Sequence, residues 1–448
     1  MNKNTNTQAK HGLTQQQLDA HWMPFTANRE FKKDPRIIVS AAGNYYTDSE
    51  GRKIFDGLSG LWTCGAGHSR AEITDAVSKQ VKELDYSPAF QFGHAKSFEL
   101  AHRITELMPE GLNRVFFTGS GSESVDTALK IARGYWRKKG MASKTRFIGR
   151  SKGYHGVNFG GISVGGIGAN RAIYGQGIEA AHLAHTMLPE NKFCQGMPKT
   201  GAELANELEA MIALYDAANV AAVIVEPLAG SAGVIPPPKG YLKRLREICT
   251  KHNVLLIFDE VITAFGRMGS NTGAAEFGVT PDIIAVAKQL TNGVIPMGAV
   301  IAKQEIYDAF MDTAGPEYML ELPHGYTYSA HPVSCAAALA SLDILANDNL
   351  PERVKSIAPY FEEVLHSLKG CKHVIDIRNY GLAGGITIAH ATGEPAKRPY
   401  QIAMKMWQKG FYVRYGGDTI QLGLPFTSTL AEISSLLNAL GETLNEID

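Results

Sequence analysis

Two charged side chains lie at positions in the sequence where they could perform chemistry. Residues 254–258 are an apolar run that ends in Asp259, and residues 283–287 are a second run that ends in Lys288. Short apolar runs of this kind are typical of strands buried on both faces. Because ligands of open α/β sheets lie beyond the carboxyl ends of such strands, this acid and this amine could hold a cofactor between them. Pyridoxal phosphate (PLP) needs such a pair, a lysine for the Schiff base and a carboxylate for the pyridinium N–H.

The same pair also has an ordinary interpretation. Strands commonly end in acidic residues, and a lysine that follows a strand is more often a solvated surface residue than a catalytic one. The PLP hypothesis therefore depends on whether the rest of the chain supplies an anion site and the elements to position both groups.

A second set of residues could bind an anion. The predicted strand 114–117 is followed by Thr-Gly-Ser-Gly-Ser-Glu at residues 118–123, and helical spacing begins at about residue 124. A helix start offers unpaired N–H groups and the positive end of the helix dipole, and serine hydroxyls add donors. The segment is not a Walker A motif, because no Gly-Lys-Ser/Thr follows. The alternative is an ordinary strand-to-helix turn capped by serine.

Strands alternate with predicted helices from about residue 114 to residue 302. This order predicts an α/β fold with a mostly parallel sheet and helices on both faces. Tyr154 and Glu226 follow further predicted strands, and an aromatic ring at such a position could stack on a flat cofactor. A Gly-x-Gly-x-x-Gly dinucleotide fingerprint is absent. The predicted domains are residues 1–64 as an N-terminal segment of the small domain, 65–335 as the large domain and 336–448 as the C-terminal small domain.

The composition of the chain excludes several classes of function. Lys and Arg together number 44, as do Asp and Glu, so no net positive field attracts nucleic acid or an anionic membrane. The N-terminus lacks the apolar core of a secretory signal, and no apolar run approaches the ~20 residues of a membrane span. Five cysteines without a Cys-x-x-Cys spacing indicate neither a disulfide framework nor a metal site, so a cytoplasmic location is expected. Residues 1 to about 12 are predicted to be a mobile tail.

Several segments together resemble the class III PLP-dependent aminotransferases of fold type I. The resemblance runs from about Trp22 to the C-terminus and includes Glu-Pro-Leu-Ala-Gly at 226–230, Leu-Ile-Phe-Asp-Glu-Val-Ile-Thr-Ala-Phe-Gly-Arg-Met-Gly at 256–269, and Pro-Asp-Ile at 281–283 ahead of Ala-Lys at 287–288. It implies a large domain with a mostly parallel seven-stranded sheet, a smaller α+β domain and PLP as cofactor. The chain is most similar to members that transfer an amino group from an ω-amino acid such as β-alanine, or a primary amine, to pyruvate by a ping-pong mechanism.

The resemblance also implies roles for individual residues. Lys288 resembles the Schiff-base lysine that moves the proton between substrate and cofactor, and Asp259 resembles the carboxylate paired with the pyridine nitrogen. Arg414 resembles the arginine that binds the substrate carboxylate. Further implied cofactor contacts are Ser120, Gly121, Ser122, the stacking ring of Tyr154, His155, Glu226, Val261 on the opposite face, and Thr327 from a neighbouring subunit. Further implied substrate contacts are Ser231 and an aromatic wall of Trp62, Phe25, Phe90 and Tyr326.

Substrate choice leaves alternatives open. In the ornithine and γ-aminobutyrate branches, the position of Ser231 resembles a gateway glutamate that neutralises the arginine, which a serine cannot do. Arg414 must then swing away or bind a distal carboxylate itself. The sequence shows no second arginine suited to the distal carboxylate of 2-oxoglutarate, so pyruvate is the expected acceptor. The alternatives are a diamine or γ-aminobutyrate transaminase, a PLP-dependent mutase or decarboxylase, and a non-catalytic PLP-binding protein on the same fold. The expected partners are small amines, amino acids and keto acids. Copies of the chain are expected to form at least a homodimer, and a homotetramer built as a dimer of dimers is the preferred assembly.

Overall fold

The computed structural model describes residues 12–312 and 314–448, so the predicted N-terminal tail lies outside the described residues except for Gly12. In chain order the strands are β1 (Ile38–Ala42), β2 (Tyr45–Asp48), β3 (Lys53–Asp56), β4 (Leu112–Thr118), β5 (Arg146–Arg150), β6 (Ala180–Leu183), β7 (Val220–Val225), β8 (Leu255–Asp259), β9 (Ile283–Val286), β10 (Gly298–Lys303), β11 (Val374–Tyr380), β12 (Ala383–Ile388), β13 (Phe411–Tyr412), β14 (Arg414–Gly416) and β15 (Thr419–Gly423).

The helices surround these strands along the whole described chain. They are α1 (Gln15–Ala20), α2 (Asn28–Phe31), α3 (Ser59–Trp62), α4 (Ala71–Glu83), α5 (Ala95–Glu106), α6 (Gly121–Lys138), α7 (Phe159–Val164), α8 (Gly168–Tyr174), α9 (Glu207–Tyr215), α10 (Tyr241–Lys251), α11 (Gly273–Phe277), α12 (Gln304–Met311), α13 (Pro332–Asn347), α14 (Leu350–His366), α15 (Lys397–Gln408) and α16 (Leu430–Glu446). Among the described residues, no helix is long and apolar enough to cross a membrane.

Seven strands form the central sheet in the order β4-β10-β9-β8-β7-β5-β6. Strands β5 to β9 pair in parallel, whereas β10 runs antiparallel to both β4 and β9. The predicted α/β fold with a mostly parallel seven-stranded sheet is therefore confirmed. A single reversed strand next to β9 accounts for the mixed character of this sheet.

The central strands are apolar throughout because both of their faces are covered. Along β7, Val223 and Val225 belong to one buried cluster, while Ala222 and Ile224 belong to another on the opposite face. Helix α10 packs into the first cluster and α6 into the second. Side chains alternate between the faces of a strand, so burial on both faces requires a continuous apolar run.

Two smaller sheets join the N-terminal and C-terminal parts of the chain. Strands β1, β2, β3 and β13 form one sheet, in which β13 runs parallel to β3 and Phe411 is paired with Phe55. Strands β11, β12, β15 and β14 form an antiparallel sheet. The N-terminal strands thus pair with the C-terminal part of the chain, as expected, and the domain boundaries after residues 64 and 335 stay a prediction.

Candidate active site

Lys288 lies just beyond β9, where it begins a short 3-10 helix, Lys288–Thr291. Its backbone is left-handed, with φ of +47°. Burial lowers the pKa of its amine to about 8, although the carboxylates of Asp259 and Glu226 raise this pKa; the cation of Arg414 lowers it further. The charges of Asp259, Glu226 and Arg414 therefore all act on this amine. With its lowered pKa, the amine loses its proton more readily than an ordinary lysine does.

Asp259 ends β8 and is held in one orientation by two contacts. Its Oδ2 lies 2.8 Å from Nδ1 of His155, and its Oδ1 accepts a hydrogen bond from the Val261 amide at 3.1 Å. Both Asp259 and His155 are buried. The carboxylate thus lies at the carboxyl end of a parallel strand, where the apolar run predicted it, and His155 positions it from behind.

Glu226 follows β7 and is also buried. Its carboxylate accepts hydrogen bonds from the amides of Tyr154 at 2.9 Å and Gly230 at 3.1 Å. Burial raises the pKa of Glu226 to about 7; the nearby charge of Asp259 adds to this rise, and His155 opposes it. Glu226 therefore fixes the segment that carries Tyr154 and the loop that carries Ser231.

The predicted anion site is the N-terminus of the 18-residue helix α6. Ser120 caps this helix, and its Oγ accepts a hydrogen bond from the Glu123 amide. The amides of Gly121 and Ser122 begin the helix and have no intrahelical acceptor. Val261 packs directly on Gly121, where an added Cβ would lie 2.9 Å from Val261 Cγ1. The Ser122 hydroxyl accepts from the Val157 amide at 3.1 Å. This anion site, called the phosphate cup below, therefore touches the segment just after Asp259.

Arg414 begins β14 and is paired in register with Gln421 of β15. Among the described residues, no side chain forms a hydrogen bond or an ion pair with its guanidinium. Ser231 is fixed nearby, because its carbonyl accepts a hydrogen bond from Gln421 Nε2 at 2.8 Å. An unpaired guanidinium close to Lys288 can accept a substrate carboxylate.

The predicted aromatic wall is only partly assembled within one chain. Trp62 is 1% exposed, and a Cβ at Gly423 would overlap its ring. The Tyr326 hydroxyl lies 3.2 Å from Thr127 Oγ1 on α6. By contrast, Phe25 is 78% exposed and Phe90 is 53% exposed.

Thr327 is also exposed, and its carbonyl accepts a hydrogen bond from the Tyr86 hydroxyl at 3.0 Å. Among the described residues, no hydrogen bond or ring contact links Phe25, Phe90 or Thr327 to Lys288. One chain alone therefore does not bring Phe25, Phe90 and Thr327 into contact with Lys288.

Two buried charged residues at the site were not predicted from the sequence. Glu260 accepts hydrogen bonds from the Ala274 amide at 2.8 Å and the Thr263 hydroxyl at 3.0 Å, and also from the Gly273 amide. It therefore fixes the loop that follows Asp259. In the sequence, the only indication of Glu260 was that a second acid follows Asp259 at the end of β8. Successive side chains point to opposite faces of a strand, so Glu260 points away from Asp259.

Arg267 is the other unpredicted residue. Its guanidinium lies over the rings of Trp62, at 5.6 Å, and Phe426, at 4.6 Å, and donates through Nη1 to the Leu424 carbonyl at 2.5 Å. Burial lowers the pKa of Arg267, whereas the two ring contacts favour its charged form. Arg267 therefore supports Trp62 from behind, and no local pattern in the sequence indicated this.

Comparison with known proteins agrees with this arrangement. The chain matches the class III aminotransferase family over residues 26–444. It is 62% identical over 431 residues to a β-alanine–pyruvate aminotransferase of Pseudomonas aeruginosa, covering 96% of each chain. It is 59% identical over 436 residues to an ω-amino acid–pyruvate aminotransferase of Pseudomonas putida, covering 97% of each.

Solved structures of transaminases have the same fold. An amine transaminase from an uncultivated Pseudomonas species, solved in its PLP-bound form, is 38% identical with a TM-score of 0.89, over 96% of this chain and 99% of that one. An (S)-enantioselective ω-transaminase from Thermomicrobium roseum is 32% identical with a TM-score of 0.90, over 96% and 97% of the two chains. The chain therefore belongs to the class III aminotransferases, with the PLP fold type I that the sequence implied.

Proposed function

We propose that this protein is a PLP-dependent aminotransferase that moves the amino group of β-alanine, another ω-amino acid or a primary amine to pyruvate. The products are alanine and an aldehyde, semialdehyde or ketone. The observation that carries the proposal is the group of Asp259, Glu226 and Arg414 around the Lys288 amine. The relatives named above, whose names specify pyruvate as the acceptor, support the choice of acceptor.

The residues present fit PLP. The N-terminus of α6 offers amides and the Ser120 and Ser122 hydroxyls to a phosphate, and Gly121 leaves a gap that a Cβ would fill against Val261. Asp259 presents a buried carboxylate suited to a protonated ring nitrogen. Tyr154 and Val261 would bound the two faces of the ring, and Lys288 would hold the cofactor covalently through Nζ.

When bound, PLP supplies an electron sink for the charge that remains after a substrate carbon loses its proton. Asp259 keeps the sink effective, because an anion beside the ring nitrogen favours its protonated form. Lys288 Nζ would take the proton from the substrate carbon that bears the amino group and carry it to the cofactor. Its lowered pKa suits this role, since a base must be neutral before it can accept a proton.

Arg414 would bind the carboxylates of both pyruvate and the ω-amino acid. The guanidinium has no anionic partner among the described side chains, and Ser231 places none at the gateway position. Arg414 can therefore bind a carboxylate or turn away for an amine that lacks one. A 2-oxoglutarate-dependent enzyme would also need a cation for the distal carboxylate, and no second arginine is assigned to the substrate site.

We further propose that the site is built by at least two copies of this chain, with a homotetramer as a dimer of dimers. Thr327, Phe25 and Phe90 are exposed in one chain and would complete the neighbouring copy's site. Within each chain, residues 65–335 would form the PLP-binding domain, and residues 1–64 and 336–448 the small domain. We place the protein in the cytoplasm, in keeping with its free cysteines.

A panel of donors and acceptors tests the function. β-Alanine or 1-phenylethylamine with pyruvate should give alanine, and each donor alone should bleach the cofactor absorbance near the visible edge. Faster turnover of putrescine or γ-aminobutyrate, particularly with 2-oxoglutarate, would favour the diamine or γ-aminobutyrate alternative. Carbon dioxide release or a rearranged product would favour a decarboxylase or mutase. A cofactor band that no amine bleaches would favour a non-catalytic PLP-binding protein.

A further inference from the structure

A cavity of about 290 Å³ lies apart from the group around Lys288. Its lining includes Lys152, in the turn after β5, and His185 and Thr186, which follow β6. Ile235 and Pro236 also line it. A volume of this size suits a small metabolite. None of the residues assigned above to the cofactor or the substrate lines it.

The lining contains two lysines, of which Lys152 is partly buried and Lys192 is exposed. Lys152 and Lys192 both line the cavity, and neither ammonium group has a hydrogen bond or an ion pair with any described residue. The acid in the lining, Asp376, is already paired with Arg378 and accepts a hydrogen bond from the Phe193 amide at 2.7 Å. The two lysines are therefore available to an anion.

The ionisation of a neighbouring histidine is consistent with a positive charge on Lys152. Burial lowers the pKa of His185, and the charges of Lys152 and Arg150 lower it further. His185 lines the same cavity as Lys152, so its environment is positive and disfavours another proton.

Thr186 supplies a polar group without a partner. Its side chain is 2% exposed, and its Oγ1 has no hydrogen-bond partner among the described residues. Buried hydroxyls in folded proteins are nearly always hydrogen-bonded, so this hydroxyl could bond a ligand oxygen in the cavity. The rest of the lining is largely apolar and includes Met187, Leu188 and Ile235.

We propose that this cavity binds a small organic anion with a compact oxyanion head and an apolar body. Lys152, Lys192 and the Thr186 hydroxyl would hold the head, while Leu188 and Ile235 would contact the body. The cavity adjoins segments that carry active-site residues, because Lys152 is two residues before Tyr154 and Ile235 is bonded to Ala229 in the loop fixed by Glu226. The assignment does not depend on which amine the enzyme uses.

The first test is calorimetric titration of phenyl phosphate into PLP-saturated protein, in which the phosphate cup is already filled. We expect saturable binding at one site per chain. The double variant Lys152→Met/Lys192→Met should raise Kd by about tenfold or more, a loss of ~1.4 kcal/mol. The matched control Lys82→Met removes an exposed lysine of α4 outside the cavity and should leave Kd unchanged.

Thr186→Val provides a nearly isosteric second variant that tests the site even if the double variant folds poorly. It should weaken binding, yet unfold at the same or a higher temperature, because it removes an unpaired buried hydroxyl. Benzenesulfonate and benzoate as further probes show whether the head is selected for phosphate, sulfonate or carboxylate. Unchanged Kd in both the lysine and threonine variants, loss of binding in Arg414→Ala instead, or the absence of saturable binding of all three probes would overturn the proposal.

Discussion

His155 Nδ1 lies 2.8 Å from Asp259 Oδ2, and both side chains are buried at the carboxyl end of β8. The second oxygen of Asp259 is fixed by the Val261 amide at 3.1 Å. The carboxylate is therefore oriented by two donors before any ligand binds, and each donor lies on a segment that also contacts the phosphate cup. Gly156, next to His155, packs so closely on Ser122 that an added Cβ would lie 2.5 Å from its Oγ.

Asp259→Asn should lower kcat by roughly a hundredfold or more, because losing a buried charge partner typically costs ~3 kcal/mol. A neutral amide no longer favours the protonated ring nitrogen, so PLP should also dissociate more readily. Steady-state kinetics at saturating PLP and fluorescence titration of the apo-protein measure the two effects. Asp75→Asn is the control, because it makes the same change at an exposed acid on α4. A rate close to wild type for Asp259→Asn would remove it from the mechanism.

The rate at which PLP attaches to the apo-protein should depend on the pKa of Lys288. This pKa is lowered to about 8, so the neutral amine, which is the reactive form, should increase about tenfold per pH unit below 8 and level off above it. Stopped-flow absorbance from pH 6 to pH 10 records the profile. In Lys288→Ala the slow covalent phase should disappear and transamination should be abolished, while noncovalent binding through the cup remains. A profile that still rises steeply above pH 9 would contradict the lowered pKa.

The stability of the apo-protein should follow the same group with a definite sign. The pKa of Lys288 is lowered on folding from its ordinary 10.5 to about 8, so the unfolded chain binds more protons between these values. This group's contribution to the free energy of unfolding should therefore increase as pH rises through that window. The difference between wild type and Lys288→Met, taken from chemical denaturation at pH 7.5 and pH 10, isolates the contribution. Relative to wild type, Lys288→Met should be more stable at pH 7.5 than at pH 10. A stability difference that is the same at both pH values would contradict the prediction.

Gly121→Ala should weaken PLP binding with little loss of fold. A Cβ at this position would lie 2.9 Å from Val261 Cγ1 and 3.0 Å from Cγ2, so either the first turn of α6 or the segment after Asp259 must shift. Fluorescence titration of the apo-protein should show the higher Kd. Gly168→Ala is a matched control, because nothing lies within 4 Å of its added Cβ and it also begins a helix. Equal Kd values for the two variants would show that the close packing at Gly121 is irrelevant to the cofactor.

A mixing experiment tests the shared site. Thr327→Val should weaken PLP if Thr327 contacts the phosphate held by a neighbouring chain, and Lys288→Ala should be inactive. A hybrid of the two chains contains one site with both Lys288 and Thr327 intact. Co-refolded mixtures assayed at limiting PLP should therefore exceed the activity of either variant alone. No gain on mixing, or a fully active monomer in sedimentation, would contradict a site built from two chains.

The sequence predicted best where burial leaves a local pattern. Strands β7, β8 and β9 are covered on both faces and therefore appear as unbroken apolar runs that end at Glu226, Asp259 and, two residues on, Lys288. Boundaries were less accurate: helical spacing was predicted from about residue 124, but α6 begins at Gly121, because Ser120 caps the helix ahead of its first buried residue, Ser124.

The support for the site could not be predicted, because it depends on contacts between distant segments. Arg267 contacts Trp62 and Phe426, which lie far from it in the chain, and Gln421 links Ser231 to the strand beside Arg414. Gln421 was visible only as a polar residue within an apolar strand. The positions of Phe25 and Thr327 relative to a substrate depend on a second chain, which the sequence of one chain specifies only indirectly.

The remaining prediction concerns recognition of two kinds of donor by Arg414. Pyruvate carries its carboxylate beside the reacting carbon, whereas β-alanine carries it one carbon further away, and 1-phenylethylamine has none. Among the described residues, no side chain pairs with the guanidinium, and Ser231 leaves the gateway position uncharged, so Arg414 can adjust to the first two and turn away from the third. A bidentate contact between guanidinium and carboxylate is worth about 2–4 kcal/mol where water is excluded.

Arg414→Ala should therefore raise KM for pyruvate and β-alanine by roughly tenfold for each ~1.4 kcal/mol lost. The half-reaction with 1-phenylethylamine should change far less, because apolar contacts with the aromatic wall carry its binding. Stopped-flow bleaching of the cofactor band by each donor alone separates this step from pyruvate. Arg398→Ala is the control, because this arginine bonds to the Ala389 and His390 carbonyls outside the site. Arg378→Ala is unsuitable, because that arginine is buried against Asp376. If Arg414→Ala slowed both donors equally while Arg398→Ala slowed neither, Arg414 would support the fold of the site rather than select carboxylates.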